Sequence, residues 1–230
     1  MIVCHRHRFI FITTRKTAGA RIESVLAEFC GDGDIVTGTK AANGSTQARA
    51  PTGTGGALAL TRYRPTDWLR LMVRGERALL ARHLAAAEIR ALVGADVWGS
   101  YFKFCVERDP WEKAVALYEQ RTRDIKPRPP LATFLAEARP EVLSNFSLYS
   151  IDGALAVDRV IRYEHLDAEL EAVRNLLNLP APIALGLRTE RASHYSTVIG
   201  PSERALLDRV CAREIELFGY AFSEVAPEDR

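Results

Sequence analysis

The segment FIFITTRKTAGARIESVL, residues 9–26, constrains this chain more than any other. Ile2 and residues 8–13 supply a short apolar run without polar alternation, the pattern of a strand buried on both faces in a parallel sheet. Ile22, Val25, Leu26 and Phe29 then recur at helical spacing. A strand that turns directly into a helix aims main-chain N–H groups, and the positive end of the helix dipole, at the space above the turn. Those donors suit a phosphate or sulfate oxygen. Ala18, Gly19 and Ala20 let the backbone approach an anion closely, Lys16 adds a mobile charge and Arg15 a second. The alternative is a plain strand-to-helix turn with two solvated cations.

The lysine stands before the glycine. A magnesium–triphosphate loop reads GxxxxGK followed by Ser or Thr. Here no glycine leads, and no hydroxyl follows a glycine–lysine step to hold magnesium. That order favours a ligand without the triphosphate–magnesium group, such as a phosphosulfate. Its sulfuryl group carries less charge than a terminal phosphoryl, so lysine and backbone donors suffice for in-line transfer.

Composition narrows the partners. The chain has 230 residues, 47% hydrophobic and 26% charged, as in an ordinary globular protein. Its net charge of +2 gives no overall basic field, so no nucleic-acid partner is expected and any anion site must be local. No apolar run reaches the roughly 18 residues of a membrane span. The start, MIVCHRHRFIFIT, has the basic patch and apolar run of a signal peptide, but the run is short and leads into TTRKTAGA rather than a cleavage site. It reads as a strand. Cys4, Cys30, Cys105 and Cys211 are scattered and form no CxxC pair, which implies reduced, mostly buried thiols and a cytoplasmic location. His5 and His7 lie in or beside a strand with no further ligand cluster, so no metal site is expected.

Further along, residues 37–60 are rich in Gly, Thr, Ala and Ser without a period, which predicts a long loop or lid. Residues 65–94 read as helical, broken near Gly75 and near His83. YFKFCVE is a second buried strand, followed by the helix DPWEKAVALYEQRTRD with proline in its first turn. KPRPPLATFLAEARP is a short proline-bounded helix. VDRVIRYEHL is a third strand, and DAELEAVRNLLNL the helix after it. PAPIALGLRTERASHYSTVIG is irregular, and PSERALLDRVCAREIELFGY closes the chain as a helix. Alternating strands and helices predict an α/β fold, three layers α/β/α around a central parallel sheet, in one domain over 1–230.

The second strand ends at Val106–Glu107. Arg108 and Asp109 fall at its carboxyl end, where ligands bind in open α/β sheets. An arginine there can clamp a phosphate with two N–H bonds. Taken alone, RDP is equally a helix cap with a solvated arginine.

Together these stretches resemble the sulfotransferases that use 3′-phosphoadenosine 5′-phosphosulfate (PAPS), in particular the carbohydrate (family 2-like) branch. That family holds the 5′-phosphosulfate in a strand–PKTGGTS–helix loop and the 3′-phosphate in a strand–VRNPxxRxxSxY–helix segment. The matching positions here are RKTAGAR, Arg15–Arg21, and VERDPWEKAVALY, Val106–Tyr118, one residue longer at Glu107. DRVIRYEHL (Asp158–Leu166), the preceding NFSLYSIDG and the final ELFGYAF are also similar to the family's segments. The resemblance implies a P-loop NTPase-like fold and transfer of a sulfuryl group from PAPS to a hydroxyl-bearing acceptor, a carbohydrate or another small compound, with no metal required. It places Arg15, Lys16, Thr17, Ala18, Gly19, Ala20, Arg21 and Arg108 around the cofactor, with Lys16 stabilising the transferring group. His83 lies 25 residues before Arg108, where related uronosyl-type enzymes place a general base; its plain alternative is a helix-capping histidine.

Arg191, with Arg188, is a candidate for the 3′-phosphate or for substrate acids, His194 is a weaker site candidate, and a solvated loop is the alternative for all three. His165, beside Glu164, reads as structural. Arg62, Arg64, Arg70 and Arg74 face either an acidic acceptor or solvent. Three departures stand out. Ala20 and Arg21 replace loop hydroxyls, Ala116 replaces the serine on the 3′-phosphate, and Arg15 replaces proline. Each lost charge-assisted hydrogen bond costs about 1.5–3 kcal/mol. The rival readings are a nucleotide kinase using Glu107 or Asp109 for magnesium, and a non-catalytic nucleotide-binding module. Homo-oligomerisation is left open.

Overall fold

The computed structural model describes residues 1–37, 83–186 and 195–224. In chain order the elements are β1 (Ile2–Cys4), β2 (Phe9–Ile12), α1 (Gly19–Leu26), β3 (Ile35–Val36), α2 (Ala86–Val93), α3 (Ala95–Ser100), β4 (Phe102–Glu107), α4 (Pro110–Thr122), α5 (Leu131–Glu137), α6 (Pro140–Leu143), α7 (Phe146–Tyr149), β5 (Ser150–Ile151), β6 (Ala154–Leu155), β7 (Arg159–Arg162), α8 (Leu166–Leu176), α9 (Pro201–Val210) and α10 (Ala212–Phe218).

The fold is α/β, around a five-stranded sheet of order β3-β1-β2-β4-β7. Side chains along β2 alternate between two clusters. Phe9 and Phe11 pack with Ile22 and Leu26 of α1 and with Leu170 and Val173 of α8. Ile10 and Ile12 pack with Ala86, Ile89 and Leu92 of α2. Every β2 residue is therefore buried, which is why the strand reads as an unbroken apolar run. A third cluster joins Trp111 of α4 to Leu135, Leu143 and Leu207 of α5, α6 and α9. This arrangement is compatible with three layers, α/β/α.

The sheet is mixed rather than parallel as expected. β2, β4 and β7 run parallel, with Ile12 opposite Cys105 and Glu107 opposite Arg162. β1 is antiparallel to β2, with Cys4 opposite Phe9, and β3 is antiparallel to β1. The turn His5–Arg8 is too short for a crossover, so the two strands it joins can only form a hairpin. Arg8 takes a left-handed φ of 52° to close it. The apolar pattern marks burial on both faces but carries no strand direction.

The helices expected in 109–124, 126–140 and 167–179 form over Pro110–Thr122, Leu131–Glu137 and Leu166–Leu176, and the helix after His83 begins at Ala86. Asp109 caps α4 by accepting from Trp111 N and Glu112 N, and Pro110 takes the first helical position. The final helix is split at Cys211, whose ψ of 21° interrupts it between α9 and α10. NFSLYSIDG forms α7 and a small β5–β6 hairpin, turned by Asp152 and Gly153 with φ of 51° and 78°. Residues 38–60 of the expected loop, the helical reading over 65–82, Arg62, Arg64, Arg70, Arg74, Arg188, Arg191 and His194 lie outside the described residues.

Candidate functional site

The parallel strands β2, β4 and β7 deliver their carboxyl ends to one edge of the sheet. The loop 13–18 leaves β2 there, Arg108 and Asp109 leave β4, and Tyr163 and Glu164 leave β7.

The loop is shaped for an anion. Lys16 and Ala18 adopt left-handed φ values of 61° and 57°. Alternating left-handed residues turn successive N–H groups toward one concavity. Arg21 N and Ile22 N bond to Ala18 O. Among the described residues, no acceptor bonds the N–H groups of Lys16, Thr17, Ala18, Gly19 or Ala20. No side chain caps α1 either. Gly19 is required by a close approach: a Cβ there would lie 2.6 Å from Thr13 Cγ2 and 3.3 Å from Thr14 O.

The hydroxyls of Thr14 and Thr17 turn inward. They meet at 2.8 Å, Thr14 donates to Val106 O, and Thr17 donates to Thr14 O at 3.3 Å. Thr17 therefore contributes its backbone, not its side chain, to the concavity.

Among the described residues, Lys16, Arg108 and His83 flank the loop. Lys16 Nζ donates to Gln120 Oε1 at 3.3 Å. Partial burial and the nearby Arg108 charge pull the Lys16 pKa below its ordinary value. Arg108 donates from Nη1 to Lys16 O at 3.3 Å and from Nε to Glu112 at 3.2 Å, and lies over the Tyr163 ring at 4.5 Å. Its remaining N–H groups are the ones available to a phosphate. Among the described residues Arg15 Nη1 is buried with no hydrogen-bond partner, and burial pulls its pKa down. Its charged neighbours are Arg121 and Glu141, so the Arg15 side chain lies on the α4–α6 side of the loop. His83 Nδ1 donates to Thr13 O at 2.9 Å. That bond fixes the neutral tautomer and makes Nε2 the basic nitrogen. The structure thus brings Arg15, Lys16, Thr17, Ala18, Gly19, Ala20, Arg108 and His83 to one edge. Arg21 is the third residue of α1, with its guanidinium toward Gly186.

What the sequence reading missed lies beneath the loop. Asn145, fully buried, accepts from Arg15 N at 3.0 Å and donates to Arg15 O at 3.1 Å, gripping one residue of the loop on both sides. Asn145 also donates to Glu107 at 3.2 Å. Glu107 is fully buried and accepts from Lys113 Nζ at 2.8 Å, Tyr149 OH at 2.9 Å and Arg108 N at 3.0 Å. Glu214 lies 3.7 Å from Lys113 and accepts from Asn145 N. Burial works against the Lys113 charge, but the two carboxylates outweigh it and its pKa is raised. One signal was readable: Lys113 falls in the stripe Pro110, Ala114, Leu117 that buries one face of α4, and a charge there requires a partner.

A cleft of about 480 Å³ lies along the end of α4 and is lined by Glu119, Thr122, Arg123, Ile125, Lys126 and Arg128. Lys16 Nζ reaches Gln120, the neighbour of Glu119, so the cleft adjoins the end of the Lys16 side chain.

No protein-family model matches this chain, and neither does a curated protein or a solved structure. The geometry therefore carries the functional argument.

Two outcomes follow from these contacts. Lys113→Met keeps the bulk of the side chain but strands a buried Glu107 carboxylate. It is expected to cost about 3–5 kcal/mol; a urea unfolding midpoint within error of wild type would contradict this. Burial pushes the Asp109 pKa up to about 7; the N–H of Glu112 pulls it down, while the Glu112 and Glu164 charges raise it. An unfolded aspartate titrates near 4. The folded protein thus binds this proton more tightly, and the group's contribution to stability is greatest below about pH 4 and is lost as pH rises toward 7. Asp109→Asn preserves the cap and should flatten that part of the stability–pH curve; an unchanged slope between pH 4 and 7 would refute the assignment.

Proposed function

We propose that this chain is a PAPS-dependent sulfotransferase of P-loop-like architecture, acting on a hydroxyl-bearing acceptor, with a carbohydrate as the first class to test. The observation that carries the reading is the convergence of an open N–H loop, Lys16, Arg108 and His83 at one sheet edge. The donor substrate supplies an activated sulfuryl group. The N–H groups of residues 16–20 and the Lys16 ammonium stabilise the charge that grows on its sulfuryl and bridging oxygens. Arg108 holds the 3′-phosphate. His83 Nε2 takes the proton of the acceptor hydroxyl as the acceptor oxygen bonds to sulfur. The bond from sulfur to the 5′-phosphate oxygen breaks, and 3′-phosphoadenosine 5′-phosphate (PAP) leaves with the electron pair. No residue role in this sequence calls for a metal.

The kinase reading is weaker on specific grounds. Its two candidate magnesium ligands are already engaged: Glu107 by Lys113, Tyr149 and Asn145, and Asp109 by the first turn of α4. The cleft beside Lys16, where Arg123, Lys126 and Arg128 outnumber Glu119, favours an acceptor that carries acidic groups.

The test is product formation from labelled PAPS with a panel of neutral and acidic glycans. Turnover is expected with wild type. Lys16→Ala and His83→Ala should each lower kcat by about 100-fold or more, in the range of an oxyanion donor or a general base. Unchanged turnover in His83→Ala would remove it from the role of base, and no transfer to any hydroxyl acceptor would sink the reading.

A further inference from the structure

At the opposite end of the sheet from the loop, three metal-binding side chains meet. Cys4 ends β1, opposite Phe9 at the start of β2. Cys30 follows the single helical turn Ala27–Phe29, and Asp34 immediately precedes β3. Their Sγ and carboxylate oxygen atoms all lie within 4.8 Å of one another. Tetrahedral zinc, with Zn–S near 2.3 Å and Zn–O near 2.0–2.2 Å, sets donor separations of about 3.5–3.8 Å, so the three donors need to close by at most about 1 Å on binding.

A second observation points the same way. Asp34 is only 6% exposed, yet it forms no ion pair with a cation among the described residues. Its oxygens accept main-chain N–H bonds instead, from His5 at 2.6 Å and from Gly31 at 2.8 Å. A buried carboxylate is ordinarily paired or metal-bound, and outer hydrogen bonds of this kind orient a ligating carboxylate. As thiols, Cys4 and Cys30 satisfy themselves weakly, with Sγ 3.8 Å from Phe29 O and 3.5 Å from Leu26 O.

We propose that Cys4, Cys30 and Asp34 bind one zinc ion that clips β1 to the connection between α1 and β3. Two thiolates with one carboxylate select zinc over magnesium or calcium, which prefer oxygen ligands alone. Binding releases one proton from each thiol to solvent. Three protein ligands leave a fourth position for water, reached past Cys30, the partly exposed ligand. The site is remote from Lys16 and His83 and is independent of the function proposed above.

The experiment uses the full chain, reduced and freed of metal by chelation, then titrated with cobalt and zinc. Expected are one ion per chain, a thiolate-to-cobalt charge-transfer band that zinc abolishes, and a higher Tm with zinc. Cys30→Ser and Asp34→Asn should each weaken zinc at least tenfold, the lower end of what losing even an outer-shell partner costs. Absence of the cobalt band in wild type overturns the proposal without reliance on any variant. So does zinc affinity unchanged in both variants, or an intramolecular Cys4–Cys30 disulfide in the metal-replete protein.

Discussion

Glu107 is a fully buried carboxylate at the end of β4, an interior strand between β2 and β7, and Lys113, Tyr149, Asn145 and the Arg108 N–H all donate to it. An unpaired charge in that place would cost several kcal/mol. The surrounding donors remove that cost and are themselves fixed by it. Asn145 is the consequential one, because its other hydrogen bonds hold both sides of the Arg15 peptide. The loop that carries the open N–H groups is thus tied to the core through a single buried amide. Thr14 makes a second tie, by donating to Val106 O on the same strand.

This support explains how a loop can hold left-handed residues at Lys16 and Ala18, neither of them glycine. Such conformations cost energy and persist when the surroundings over-determine them. The result is a set of backbone donors held by the core and flanked by Lys16 and Arg108. A preorganised cationic concavity requires no reorganisation when charge develops on a bound group. Ala20 and Arg21 at the loop's end supply no side-chain hydroxyl, and among the described residues the Ala20 N–H is open.

The sequence made legible whatever depends on periodicity or on one local run. The apolar stretches at 9–12 and 102–107 announced buried strands, and the Asp109–Pro110 pair announced the start of α4. Lys16 and Arg108 were read from local context and His83 from its spacing under the family resemblance, and the three share one edge. Strand direction was hidden, because burial on both faces looks the same in parallel and antiparallel strands; only the brevity of the His5–Arg8 turn spoke for a hairpin. The Glu107–Asn145–Glu214 network was hidden for another reason. Its members lie far apart in the chain, and an asparagine between two short helices has no local signature. Cys4 and Cys30 were read as separate thiols on the same ground, and the turn after α1 brings them together.

The central claim is that the loop and Arg108 recognise a 3′,5′-bisphosphorylated nucleoside. Titration calorimetry with PAP, and separately with ATP and magnesium, measures it directly on wild type and Arg108→Ala. The account predicts micromolar or tighter binding of PAP, weaker binding of ATP, and a loss of roughly tenfold to a hundredfold for PAP in Arg108→Ala. Failure of PAP to bind wild type below about millimolar, or tighter binding of ATP than of PAP, would contradict it.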